Sequence, residues 1–157
     1  MTKVLNLALL GPTRLFWQDQ TTLDLKSSKA QALLAYLVVN GRVHSRHTLA
    51  ALLWGTLPDT DALRNLRGVI MKLRQAIDPY LLVTNTTLAF NHDLPHWLDL
   101  HQFQQLARRP ERLEEAIDLY RGEFLADLQV RHAPDFEKWL TQQRTRMHET
   151  ALSAHLA

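Results

Sequence analysis

Residues 61–78 read DALRNLRGVIMKLRQAID, and this stretch constrains the chain more than any other. Steps of three or four residues bring Leu63, Leu66, Ile70, Leu73 and Ile77 to one side. That is the spacing of a helix with a single buried stripe. Arg64, Arg67, Lys72 and Arg74 lie off the stripe, and no acid occurs between Leu63 and Ile77. A helix that needs only to be soluble usually mixes both signs of charge. A helix face that is basic only points toward an anionic partner.

The flanking sequence gives this helix a setting. SSKAQALLAYLVVN places Leu33, Leu34, Leu37 and Val38 at helical spacing, with Ser27 or Ser28 as N-cap and Asn40-Gly41 as the stop. VHSRHTLAALLWG predicts a short helix over 46–54, capped by Ser45, with Leu49, Leu52 and Leu53 inward. Gly55 and Pro58 interrupt it, and Asp59 or Thr60 can cap the basic helix that follows. Two helices joined by a short turn-rich link, the second basic outside, follow the helix-turn-helix plan. YLLVTNTTLAFN then reads as a hairpin, Leu81–Thr84 against Thr87–Phe90, with Asn85-Thr86 at the turn. A hairpin directly after such a helix is a wing.

The major groove of DNA admits one helix. On the basic helix the side opposite the leucine stripe carries Arg64, Asn65, Gly68, Lys72 and Gln75, with Met71 nearby and Arg67 and Arg74 on the flanks. Flanking cations suit phosphates, and outward Arg, Asn and Gln suit base edges. Gly68 costs about 1 kcal/mol relative to Ala inside a helix. It is open to two readings, a tolerated defect or a point where another surface comes close to the backbone.

Upstream, KVLNLALL, RLFWQ and TTLDL are short apolar or alternating runs that predict a small antiparallel sheet at 3–25. Downstream, WLDLHQFQQLARR sets Leu98, Phe103 and Leu106 at roughly helical spacing. PERLEEAIDLYRGEFLADL starts a helix at Pro110 and turns Leu113, Ala116, Ile117 and Tyr120 inward. APDFEKWLTQQRTRMHETALSAHLA is a long helical pattern with Phe136, Trp139, Leu140, Met147 and Leu152. Ala116 and Tyr120 fit the alanine-to-aromatic spacing of tetratricopeptide-like pairs. The linker falls in NHDLPHWLD, residues 91–99, with Pro95 at the break.

Charge divides along the same line. The chain has 157 residues and a net charge of +2. Residues 1–95 hold ten Lys/Arg against six Asp/Glu, and residues 96–157 hold eight against ten. Only the first half is suited to a polyanion. The fold expected is therefore α+β. A winged helix-turn-helix with an N-terminal antiparallel sheet occupies 1–95, and an all-α tetratricopeptide-like segment occupies 96–157.

In their order, LALLGPTRLF, LDLKSSKAQALLAYL, SRHTLAALLWG, ALRNLRGVIMKLRQAI, LEEAIDLYRGEFLADL and APDFEKWLTQQRTRM resemble the SARP-type bacterial transcriptional activators (antibiotic regulatory protein type). These join a response-regulator-like winged helix to a bacterial transcriptional activator domain. The resemblance implies binding to double-stranded promoter DNA, often at direct repeats, and recruitment of RNA polymerase, and it allows a homodimer. Residues 60–77 become the recognition helix, and GTLPDTDA falls where related winged helices present a loop to polymerase. The DNA-binding set is Arg64, Asn65, Arg67, Gly68, Lys72, Arg74 and Gln75, with Arg46 from the short helix before it. The wing turn TNTT carries no Arg or Lys, which argues against its insertion into the minor groove. ALSAHLA stops inside a helical pattern, which leads us to expect an N-terminal fragment of a longer protein.

Other classes find little support. The chain has no cysteine, which excludes disulfides and cysteine-bound zinc. His44 with His47, and His92 with His96, give two ligands each, too few for a metal site. Asp59 with Asp61, and Glu114 with Glu115, are helix-start acids rather than catalytic pairs. No P-loop and no G-x-S-x-G turn occur. No enzyme, cofactor or membrane partner is expected. MTKVLNLALLGP is too short and lacks a cleavage pattern for a signal peptide, so the default compartment is the cytoplasm. The alternative function is a protein-interaction module, in which a degenerate winged helix leaves the helical half to dock a partner or an ATPase domain.

Overall fold

The computed structural model describes residues 3–157. Met1 and Thr2, which open the N-terminal run, lie outside the described residues. The chain forms mixed α and β structure divided between two compact units that interleave along the sequence. Residues 24–94 and 129–138 make one unit. Residues 3–23, 95–128 and 139–157 make the other.

The first of these units contains the basic helix. Ser27 caps α1 (Ser28–Val39) by accepting from the Ala30 N–H, and Asn40 closes it by donating to Tyr36 O. Ser45 caps α2 (Arg46–Leu53) in the same way, accepting from Thr48 N–H at 3.0 Å. Between these helices a two-residue strand β3 (His44–Ser45) precedes α2 directly. α3 (Asp59–Ile77) follows, then the hairpin β4 (Leu81–Val83) and β5 (Thr87–Phe90). β5 lies centrally, antiparallel to β3 on one side and to β4 on the other. Leu33, Leu37, Leu49, Leu53, Leu66, Leu73, Ile77 and Leu88 are fully buried in this unit.

Two details depart from the sequence expectation. α3 has no side-chain cap: Pro58 takes the cap position, and Asp59 and Thr60 lie inside the helix. Pro58 O accepts the first helical bond from Ala62 N, and Asp59 and Asp61 put negative charge at the positive end of the helix dipole. The buried stripe is also wider than the leucines alone. Ala62 and Val69 join Leu66, Ile70, Leu73 and Ile77, while Leu63 is half-buried.

The second unit holds β1 (Leu5–Ala8) and β2 (Arg14–Trp17), paired antiparallel as expected. TTLDL does not add a regular third strand; Thr22 makes only an isolated bridge to Phe16. The third strand is β6 (His96–Leu98), parallel to β1, so the sheet is mixed rather than antiparallel. Leu98 therefore belongs to a strand, and the linker expected over 91–99 contains one. The remaining elements are α4 (Asp99–Ala107), a 3-10 turn at Pro110–Arg112, α5 (Leu113–Leu119) and α6 (Pro134–Leu156). α6 contributes its first turn to the other unit and residues 139 onward to this one.

Asp99 ties this sheet to α4. Its carboxylate is 2% exposed and accepts from Leu9 N–H at 2.8 Å and Leu10 N–H at 2.9 Å. Burial pushes its pKa up, against the pull of these donors and of Arg121. Tyr120 falls at the cap of the seven-residue α5, outside the helix, and stacks near Phe103 with ring centroids 5.7 Å apart. The alanine-to-aromatic spacing thus does not lie within one helix. Leu152, the last apolar residue named in the α6 pattern, is 49% exposed.

Candidate nucleic-acid interface

The 3.6-residue period that buries Leu66, Ile70, Leu73 and Ile77 sends Arg64, Gly68, Met71 and Gln75 to the opposite side of α3. These four form a row with spacings of four, three and four. Asn65 and Lys72 flank the row on one side, Arg67 and Arg74 on the other. All eight residues are exposed. The residues singled out on this helix therefore share one open face.

The charge on this face is barely neutralised. Arg64 Nη2 meets Asp61 Oδ1 at 2.7 Å, with both side chains well exposed. Among the described residues, Arg67, Lys72 and Arg74 make no ion pair. Each flank also adjoins a hollow. On one side Arg46, Arg67 and Arg74 line a hollow together with Ile70, Met71 and Val83, and no acid is in the lining. On the other, Lys72 and Gln75 face Asp24, Lys26 and Ser27 at the start of α1. Lys26 escaped the sequence reading because it lies on a separate element, and no periodicity links it to Lys72.

Arg46 is half-buried and already engaged. Its Nε and Nη2 donate to Thr84 O at 3.1 and 2.7 Å, and its backbone N–H donates to Thr86 O at 2.9 Å. It fastens the start of α2 to the hairpin turn. That turn is further held by Thr84 Oγ1, which accepts from Thr87 N–H at 2.9 Å. The hairpin beside α3 is thus firmly shaped, though its tip carries no cation.

The glycines of this unit divide sharply. A Cβ on Gly55, in the turn between α2 and α3, would stand 2.8 Å from Ala51 O, so the turn itself requires glycine. A Cβ on Gly68 would meet nothing within 4 Å beyond its own stretch of helix backbone. The fold does not need glycine there and carries its helix cost of about 1 kcal/mol without any internal compensation.

Behind the turn, Lys29 closes the C-terminal end of α2. Its ammonium donates to Leu53 O and, at 2.5 Å, to Arg131 O, and lies 4.8 Å from the centre of the Trp54 ring. Burial lowers its pKa to about 8. One histidine of each pair is used structurally. The buried His44 ring contacts Asn40 O, and His92 bridges Phe90 O and Val38 O. Among the described residues no group of three potential ligands could hold a metal ion, and no helix is long and apolar enough to cross a membrane.

Known proteins share this architecture. The family description "bacterial transcriptional activator domain" matches residues 97–157. Over 97% of its length the chain is 32% identical to the regulatory protein AfsR of Streptomyces coelicolor and 28% identical to AfsR of Streptomyces griseus. It spans 17% of the length of each. EmbR of Mycobacterium tuberculosis, solved in complex with a low-affinity phosphopeptide, matches with a TM-score of 0.73 at 25% identity, over 98% of this chain and 44% of that one. By these likenesses the chain is a homologue of the AfsR regulators and is similar to the SARP-type bacterial transcriptional activators, with the bacterial transcriptional activator domain matched over residues 97–157.

Proposed function

We propose that the chain binds promoter duplex DNA by laying α3 in the major groove, as a winged helix-turn-helix. The observation that carries this reading is the outer face of α3. It presents four cations, an asparagine and a glutamine to solvent, with one acid partner at its N-terminal end. Arg67 and Arg74 on one flank, and Lys72 with Lys26 on the other, are spaced to meet the two phosphate backbones that wall the groove. Arg64 and Asn65, in the N-terminal half of the helix, meet base edges. Arg46 shapes the wing and contributes its charge to the phosphate-facing hollow. The link GTLPDTDA between α2 and α3 presents a loop to RNA polymerase, and the tetratricopeptide-like segment over 96–157 supplies contacts to a second copy of the chain.

Duplexes selected from a random pool at about physiological salt test the reading, followed by titration at several salt concentrations. A recovered common motif is the expected result. Each phosphate contact contributes roughly 0.9 to the slope of log affinity against log salt. Arg67→Ala and Arg74→Ala should each flatten that slope by about one unit. Absence of any selected motif, with the chain folded, would favour the interaction-module reading. The cation-free hairpin tip is the observation on its side.

A further inference from the structure

We infer that Gly68 and Met71 form a notch that reads a thymine methyl group, an inference that rests on the DNA-binding reading above. The row at the crest of α3 is Arg64, Gly68, Met71, Gln75. Its two ends carry hydrogen-bonding groups, and its middle offers neither donor nor acceptor. Met71 is 58% exposed, an apolar side chain on an otherwise polar and basic face. Gly68 is open: apart from its own stretch of helix backbone, nothing lies within 4 Å of the place a Cβ would take. One turn of helix thus presents bare backbone, which a base edge can approach one methyl group more closely, with a flexible, polarisable thioether three residues on.

A base pair opposite that turn meets no hydrogen-bonding partner from it. The one apolar group that base edges display in the major groove is the 5-methyl of thymine. The missing Cβ lets that methyl come close to the backbone, and the flexible Met71 side chain turns onto it when DNA binds. This accounts for a glycine that the fold does not use and for an exposed methionine that no core requires. Guanine and adenine present acceptors at the same place, and an apolar notch leaves them unpaired.

The test uses the intact chain and its selected duplex. Each thymine in turn is replaced by deoxyuridine, which removes the methyl and nothing else. At one position the parent should lose affinity about fourfold, the effect of one buried methylene-sized group. Met71→Ala should bring that ratio close to one, while Met71→Leu should keep it. Gly68→Ala should fold at least as stably as the parent and bind the thymine duplex more weakly. Its preference should invert toward deoxyuridine, because the added Cβ occupies the place of the methyl. Both residues are exposed, so circular dichroism should show unchanged helix in every variant. Indifference of the parent to deoxyuridine at every position of a site it binds would overturn the notch and leave the DNA reading standing. So would an undiminished ratio in Met71→Ala. Failure to bind any duplex would remove both.

Discussion

At the scale of single residues, Arg64 carries the sharpest expectation. Its contact with Asp61 is exposed on both sides, and such pairs contribute at most about 1 kcal/mol. Asp61 therefore aims the guanidinium without holding it back from a guanine. Arg64→Ala should cost roughly 1–3 kcal/mol on the selected duplex and much less on a scrambled one, measured by paired titration. Equal losses on both would make Arg64 a phosphate clamp. Lys29 gives a pH signature. Its folded pKa of about 8 lies below the ordinary 10.5, so between these values the folded chain holds fewer protons than the unfolded one. Stability contributed through this group then rises with pH across that window, and is flat below it. Urea midpoints of the parent, less those of Lys29→Met, should grow from pH 8 to 10. A decrease would mean that the carbonyls of Leu53 and Arg131 favour the ammonium over the neutral amine.

At the scale of elements, period decides what a sequence discloses. α1, α2 and α3 run eight residues or more, enough for a buried stripe and a serine cap or an acidic first turn to be read directly. The outward face of α3 followed from the same period, and so did most of the candidate site. β3 and β6, at two and three residues, are too short to show alternation. They exist because β5 and β1 have an open edge, which is a property of distant partners. The grip of Arg46 on Thr84 and the hollow that Lys26 and Lys72 both line are invisible for the same reason. Asp99 is the clearest case: it looks like an ordinary helix-start acid, yet its two oxygens each take one N–H from the end of the first strand. Asp99→Asn keeps the shape but turns an amide N–H toward one of those donors. It should destabilise the chain by about 1–3 kcal/mol, the cost of a buried donor left unsatisfied, read from thermal or denaturant unfolding. A loss below a few tenths of a kcal/mol would show that this junction yields to water.

At the scale of the whole molecule, the order of the chain and the order of packing differ. A boundary at residue 95 follows the shift in charge and composition, and every proposed DNA-contacting residue lies before it. Yet residues 3–23 cluster with 95–128 and 139–157, and residues 129–138 cluster with 24–94. A fragment of residues 1–95 therefore loses β6 from the edge of β1, and loses the Asp99 acceptors of Leu9 and Leu10. What remains of that sheet is a two-stranded hairpin, marginal in water by itself. The same cut takes from Lys29 its acceptor at Arg131. The helices α1–α3 and the β4–β5 hairpin keep their mutual packing and their full complement of exposed cations. Hydrogen exchange on the fragment should accordingly find the amides of residues 5–17 unprotected, against firm protection in the full chain. Residues within α1 and α3 should stay protected, and binding to duplex DNA at low salt should persist at reduced affinity. Protection of residues 5–17 equal to that in the full chain would mean that β6 and Asp99 are not what holds the first strand. Protected α1 and α3 with no DNA binding would move the binding surface off α3 and onto the part removed.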